Sequence, residues 1–300
     1  MKHTRLFPLL LLALALTACA IGGQDEARQP AIPLATCRLN GGVMAQCGEL
    51  LVYEDRAAAA GRQIALNIAV VPATGSSNVV EDDPLFLLAG GPGQAAVETF
   101  PLALSVFADV NRNRDIVLVD QRGTGESNGL NCEVLEDETL PADLPDEQQI
   151  ALLDQCRVDL AERADLSLYT TDDFVADLDD VRAALDYDTI NLYGASYGTR
   201  AALTYMRRFP ERVRSVVLDS VAGPELVLFL QMPQDGQRAL DLLFDRCAAD
   251  AGCNEAFPNF RAEYEAVLAQ LATPQPVTVA DPLSNKPLEF QLDRDFLSQL

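Results

Sequence analysis

Five residues, Gly194-Ala195-Ser196-Tyr197-Gly198, join an apolar strand pattern at Ile190–Tyr193 to a helical pattern at Tyr197–Phe209. A strand that turns into a helix within so few residues needs a bend in which bulky side chains at both ends would collide. Glycine occupies both of these positions, 194 and 198. The feature predicts a strand–turn–helix unit with Ser196 held at its tip, and it constrains the fold to one that packs helices against a sheet.

Further apolar runs alternate with helical patterns on both sides of this turn. The predicted strands are Gln63–Val71, Leu85–Ala89, Ile116–Val119 and Val213–Leu218, and the predicted helices cover Glu98–Val110, Asp146–Arg163 and a segment starting at Thr171. Alternation of this kind is typical of a parallel sheet covered on both faces by helices, so the predicted fold class is α/β. Regular structure is expected to start near Leu50, and Glu225–Leu271 is expected to be mostly helical, with an interruption at Gly252-Cys253.

The charge balance narrows the classes of partner. The chain carries 45 acidic and 22 basic residues, a formal net charge of −23, and its one histidine is His3. Such an acidic surface repels phosphate backbones, so we expect no nucleic-acid partner. His3 precedes every segment that looks folded, so no histidine of the globular region can act as a base or bind a metal.

The first residues are typical of an export signal. Lys2 and Arg5 precede the apolar run Leu6–Leu16, which is shorter than the roughly 20 residues needed to span a bilayer. Leu16-Thr17-Ala18-Cys19 resembles the lipobox of bacterial lipoproteins, in which the cysteine carries the lipid. We expect a mature chain that begins at Cys19, is exported and contacts the membrane only through its lipid. The alternative is an ordinary cleaved signal with an incidental Cys19.

An exported chain meets an oxidising compartment, and six cysteines remain after Cys19. Their order along the chain suggests the local pairs Cys37–Cys47, Cys132–Cys156 and Cys247–Cys253. Metal binding is the alternative, and the lack of any CxxC sequence and of a nearby histidine weakens it.

Ser196 is the candidate nucleophile, because a serine between a strand and a helix in the order GxSxG projects its hydroxyl above the sheet edge. Acyl transfer also needs donors for the developing oxyanion. The backbone N–H of Tyr197 is the first candidate. The loop Gly90-Gly91-Pro92-Gly93 follows a predicted strand and supplies the second, for which we choose Gly91 ahead of Gly93, since Pro92 has no N–H.

A polar loop, Asp120-Gln121-Arg122-Gly123-Thr124-Gly125-Glu126-Ser127, follows the predicted strand Ile116–Val119. It contains an aspartate and an arginine that could pair within the loop. We assign it no proton transfer.

The three motifs occur here in the order GGPG, DQRGTGxS and YGxSYGT. In this order they resemble the proline iminopeptidase and tripeptidyl aminopeptidase-like branch of the alpha/beta hydrolases, over roughly residues 50–225. Iminopeptidases usually have a histidine before GGPG, where this chain has Ala89, and this favours the tripeptidyl type, which also carries local disulfides. The resemblance implies a serine exopeptidase that removes N-terminal residues from short peptides, with a helical cap inserted after Val213–Leu218.

We therefore expect four regions: a signal peptide at 1–18, a lipid tether with the first disulfide at 19–49, the first part of the hydrolase core at 50–223, and an incomplete helical cap at 224–300. The reaction calls for no cofactor, and the oligomeric state is not readable from the sequence. Glu225 is a guess for the cap residue that binds the substrate amine.

The proton acceptor is missing from this sequence. The family order is serine, then an acid, then a histidine, and no histidine follows Ser196. Asp219 ends a predicted strand, but it comes one strand early for the family's acid, so we interpret it as structural. Asp293–Leu300 reads as a helix just begun, so we expect a chain cut short, with negligible turnover and an unpaired, aggregation-prone sheet edge.

Two other functions remain open. An esterase or lipase on the same scaffold would differ in its substrate pocket, which the sequence does not resolve. A relic of a hydrolase that binds without turnover would also fit the missing base.

Overall fold

The computed structural model describes residues 30–75, 80–135, 144–227, 230–281 and 285–298. The predicted signal peptide, Cys19 and His3 lie outside these ranges. The chain divides into two compact units, one ending at Pro224 and the other beginning at Glu225.

The first unit is built on a seven-stranded sheet with the strand order β1-β2-β3-β5-β4-β6-β7. Strands β1 to β3 and β5 pair antiparallel in that order, whereas β4 is parallel to both β5 and β6, and β6 is parallel to β7. The strands are β1 (Ala35–Arg38), β2 (Met44–Tyr53), β3 (Gln63–Val71), β4 (Leu85–Leu88), β5 (Ile116–Val119), β6 (Ile190–Ala195) and β7 (Val213–Asp219).

The expectation that regular structure starts near Leu50 is wrong, because the sheet begins at Ala35. Strand β1 is only four residues long and pairs with the first part of β2. The Cys37–Cys47 disulfide joins these two strands. A short strand with exposed side chains has little hydrophobic periodicity, so the sequence pattern does not reveal it.

The helices of the first unit are α1 (Ala96–Thr99), α2 (Ala108–Asn111), α3 (Asp146–Arg163), α4 (Thr171–Ala184) and α5 (Tyr197–Arg208). The single helix expected over Glu98–Val110 is instead split by a 3₁₀ segment at Phe100–Phe107. Pro101 lies at the start of that segment, and proline cannot donate the hydrogen bond that a continuous α-helix needs there.

Alternate side chains of the central strands point into two separate cores. Phe86 and Leu88 pack on one face with the apolar sides of α4 and α5, including Leu178. Leu85 and Leu87 pack on the other face with residues of the segment that follows β4. Burial on both faces explains why the central strands are continuous apolar runs rather than alternating ones.

Arg122 is fully buried and fastens the loop after β5 to helix α4. Its guanidinium forms two hydrogen bonds of 2.6 and 2.8 Å with the carboxylate of Asp177. It also donates to the carbonyl oxygens of Glu54 and Leu168, at 3.0 and 2.8 Å. Arg122 therefore does not form the pair with Asp120 that the loop sequence allowed, because its planar guanidinium reaches Asp177 on α4 and pairs with it bidentately.

The second unit combines helices with a hairpin. It contains α6 (Met232–Ala249), α7 (Ala251–Ala256), α8 (Phe260–Gln270), β8 (Gln275–Ala280), β9 (Pro287–Leu292) and α9 (Arg294–Ser298). Strands β8 and β9 pair antiparallel, a feature that the expectation of a helical cap did not include.

The helical interruption lies at Asp250 and not at Gly252-Cys253. The Asp250 carboxylate accepts a hydrogen bond from the N–H of Cys253 and so caps the start of α7. On α6, the buried Phe244 contacts the rings of Phe260 and Tyr264 on α8 and forms a small aromatic core.

All three predicted disulfides are present: Cys37–Cys47, Cys132–Cys156 and Cys247–Cys253. Disulfides of this number are typical of proteins outside the cytoplasm. Within the described ranges, no helix combines the length and the apolar character that crossing a membrane requires.

We predict that Arg122→Met destabilises the first unit by about 3–5 kcal/mol, because it leaves the buried Asp177 carboxylate with one partner fewer and two carbonyl oxygens without a donor. Urea unfolding measures this loss. The matched control is Arg112→Met, which removes an arginine that pairs with Asp109 at the surface. An equal effect of both substitutions would contradict the role assigned to Arg122.

Candidate active site

Ser196 lies at the tip of the β6–α5 turn in a strained backbone conformation. Its φ and ψ are 53° and −118°, in a region that side-chain-bearing residues rarely adopt. A Cβ at 194 would overlap the backbone of Gly198, and a Cβ at 198 would overlap the carbonyl oxygen of Leu88 on β4. The two glycines thus allow both the tight turn and the close approach of α5 to the sheet.

The surroundings of Ser196 fix its backbone and leave its side chain at the surface. Its N–H donates to the carbonyl oxygen of Asp219 at 2.9 Å, and its own carbonyl accepts from the N–H and Oγ1 of Thr199, at 3.0 and 2.6 Å. The residue itself is exposed. An exposed hydroxyl at the N-terminus of a helix lies where negative charge is favoured.

The glycine loop after β4 lies directly beside this turn, because β4 and β6 are neighbours in the sheet. A Cβ built on Gly90 would be 3.2 Å from the Cβ of Ser196 and 3.2 Å from the carbonyl oxygen of Ala195. Gly91 and Gly93 follow with φ values of 104° and 116°, and both are exposed. We did not predict the close approach of Gly90 to Ser196 from the sequence. The available signal was the position of Gly90 directly after the predicted strand Leu85–Ala89.

Asp120 holds the segment that follows the glycine loop. Its carboxylate accepts the N–H of Val97 on α1 at 2.8 Å and the side-chain amide of Asn67 on β3 at 2.8 Å. Asp120 has no exposed surface, and burial raises the pKa of its carboxyl despite these hydrogen bonds. A Cβ at Gly125 would lie 2.6 Å from this carboxylate, so glycine is needed for the loop to wrap around it.

Two other acidic residues were singled out in the sequence. The Asp219 carboxylate accepts hydrogen bonds from the hydroxyls of Tyr193 and Ser220, at 2.5 and 3.1 Å, and the bond to Asp219 raises the pKa of Tyr193. Glu225 is exposed at the start of the second unit. In the part of the chain that the structure describes, no three His, Cys, Asp or Glu side chains come together as a metal site.

A family model described as the alpha/beta hydrolase fold matches residues 83–255, which include β4 to β7, the glycine loop and the turn at Ser196. The chain belongs to the alpha/beta hydrolase family. Ser196 therefore lies at the strand-to-helix turn that carries the nucleophile in catalytic members of this fold.

Three relatives of the chain carry the names of peptidases. It is 29% identical over 277 residues to "Serine protease Hip1" of Mycobacterium tuberculosis, covering 82% of this chain and 52% of the relative. It is 32% identical over 193 residues to "Tripeptidyl aminopeptidase" of Streptomyces lividans, covering 60% and 36%. It is 32% identical over 138 residues to "Proline iminopeptidase" of Lactobacillus delbrueckii subsp. bulgaricus, covering 46% and 35%. The chain spans about half the length of Hip1, and its matches cover a smaller share of the other two relatives.

We predict that Gly198→Ala lowers the thermal stability of the first unit, because the added methyl group would push α5 away from Leu88 of β4. The control is Gly236→Ala, in the second turn of α6, where a Cβ meets no atom within 4 Å. That change is expected to raise helix stability by about 1 kcal/mol. Thermal unfolding of both variants tests this, and a neutral Gly198→Ala would refute the close packing of the turn.

Proposed function

We propose that this alpha/beta hydrolase is a serine peptidase that acts on the N-terminus of short peptides, with Ser196 as the nucleophile. The observation that carries the proposal is the exposed Ser196 on a strained turn, with Gly90 of the glycine loop against its Cβ. Energy is stored in the backbone at this position, and strain of this kind persists where a side chain must be presented in one direction.

In the proposed reaction, the Ser196 hydroxyl attacks the carbonyl carbon of the scissile peptide bond. The N–H groups of Tyr197 and Gly91 stabilise the resulting oxyanion. Collapse of the tetrahedral intermediate breaks the C–N bond, releases the amine and leaves an acyl group on Ser196, which water then removes. The exposed glycines at 91 and 93 allow a substrate to approach the backbone closely.

The attack needs a base for the hydroxyl proton, and no histidine follows Ser196 in the 300 residues. We propose that the 300-residue chain alone has negligible turnover and retains the nucleophile and the oxyanion donors. Without the base, only the oxyanion site and substrate binding contribute, a residual acceleration of roughly 10³–10⁴ over water.

The proposed substrate class rests on the names of the relatives, which include a tripeptidyl aminopeptidase and a proline iminopeptidase. An enzyme of this class must recognise a free amino group, and an acidic side chain is the natural partner of an ammonium. Glu225 is our candidate for that partner, and its exposure is compatible with the role.

We predict that an alkyl fluorophosphonate probe labels the 300-residue chain slowly and only at Ser196, because the reagent reports a serine with oxyanion donors even where turnover is absent. Ser196→Ala should abolish labelling, whereas Ser105→Ala, which removes another exposed serine, should leave it unchanged. Labelling is measured by intact-protein mass spectrometry. Equal labelling of the wild type and Ser196→Ala would exclude Ser196 as the nucleophile.

We also predict that a tripeptide with a free N-terminus slows this labelling, and that the same tripeptide with an acetylated N-terminus does not. The acetyl group removes the positive charge that an aminopeptidase recognises. Protection by both peptides would reject a requirement for the amine. Protection only by a short-chain ester would favour the esterase alternative.

We further propose export and lipid attachment at Cys19, supported by the lipobox-like sequence and by the disulfides. Expressed in a bacterium, the wild-type protein is expected in the membrane fraction and Cys19→Ala in the soluble fraction. Retention of Cys19→Ala in the membrane fraction would reject the lipid anchor.

A further inference from the structure

Tyr197 contributes two groups, a backbone N–H next to Ser196 in the chain and a phenol that reaches another helix. We infer that Thr171, at the start of α4, is a positioning residue that fixes the oxyanion donor of Tyr197 through this phenol. The inference rests on the proposed function of Ser196, and its test separates the two.

The contact is a short side-chain hydrogen bond. The hydroxyls of Thr171 and Tyr197 are 2.7 Å apart, and both residues are half-buried. The side-chain amide of Gln121, in the loop after β5, donates to the same phenol at 3.4 Å. The phenol is thus held from two elements other than its own helix.

Thr171 is not needed to start its own helix. The N-cap of α4 is Thr170, whose Oγ1 accepts the N–H of Asp173 at 3.2 Å. The sequence pattern predicts a helix that starts at Thr171. Only the structure shows that Thr170 caps the helix, whereas Thr171 bonds to Tyr197. The hydroxyl of Thr171 is left to bond Tyr197.

The position of Tyr197 in its helix explains why such a clamp matters. It is the first residue of α5, where the N–H groups have no acceptor within the helix. The direction of this N–H is therefore set by the turn and by what holds the side chain. A misplacement of about 1 Å can cost roughly 100-fold in rate, so the position of this donor matters.

Helix α4 is a rigid support for this clamp. Val175, Leu178 and Val181 have no exposed surface, and Asp177 forms the buried pair with Arg122. The same loop that carries Arg122 also carries Asp120, which fixes the segment behind the glycine loop. The buried pair between Arg122 and Asp177 therefore connects the support of both proposed oxyanion donors, Tyr197 through α4 and Gly91 through the loop after β5.

The test measures labelling by the fluorophosphonate as a maximal rate constant, kinact, and an apparent inhibition constant, KI. Thr171→Val and Tyr197→Phe should each lower kinact about tenfold with KI unchanged, because the donor is displaced while the binding surface remains. The double variant should be no slower than Tyr197→Phe, since that substitution already removes the hydrogen bond that Thr171→Val breaks. Thr171→Ser keeps the hydroxyl and should restore the wild-type kinact.

Tyr205→Phe is the matched control, because it removes another tyrosine hydroxyl from the same helix. That hydroxyl donates to the half-buried Asp179 at 2.8 Å. The control should lower the melting temperature and leave kinact unchanged. Additive losses in the double variant, or a loss of kinact in Tyr205→Phe equal to that in Thr171→Val, would overturn the inference.

A second readout applies even where labelling fails. The ¹⁵N–¹H resonance of the Tyr197 amide should shift, and its order parameter should fall, in Thr171→Val and not in Tyr205→Phe. No labelling of the wild type would reject the proposed function and leave this readout to decide the inference. An unchanged Tyr197 amide in Thr171→Val would overturn the inference whatever the labelling shows.

Discussion

The approach of helix α5 to strand β4 is the constraint on which the site depends. Gly198 lies so close to the carbonyl oxygen of Leu88 that a methyl group would not fit between them. Because β4 leads into the glycine loop and α5 begins at the Ser196 turn, this one contact brings the serine and the loop together. The strain at Ser196 is the cost of that geometry, and the packed strands on both sides maintain it.

Polar groups buried in the first unit support the same region. Arg122 joins the loop after β5 to α4, and Asp120 joins that loop to α1 and β3. Buried charges are costly unless each is paired, and here each of them has partners. The loop at 120–127, which resembles a family signature in the sequence, therefore holds in place the segment that follows the glycine loop.

The relatives named above are peptidases by name, whereas the sequence provides no histidine after Ser196. The family model covers the strands and loops that present Ser196, and the matches span between 35% and 52% of the lengths of the named relatives. The proposed nucleophile and its proposed backbone donors are local features, formed by residues that follow neighbouring parallel strands. A histidine base would come from a different part of a hydrolase chain, and none follows Ser196 here.

The sequence by itself determined the α/β class, the three cysteine pairs and the turn at Ser196, because each depends on local spacing. Apolar runs such as Ile116–Val119 and the glycines around Ser196 leave few conformations open. Only the tertiary structure decided the short strand at Ala35–Arg38, the partner of Arg122 and the bond between Thr171 and Tyr197. The strand escapes the sequence pattern because four residues with mostly exposed side chains show little hydrophobic periodicity. The other two contacts join residues far apart in the chain, and a hydrogen-bonding side chain does not encode in its local sequence which distant group the fold will bring to it.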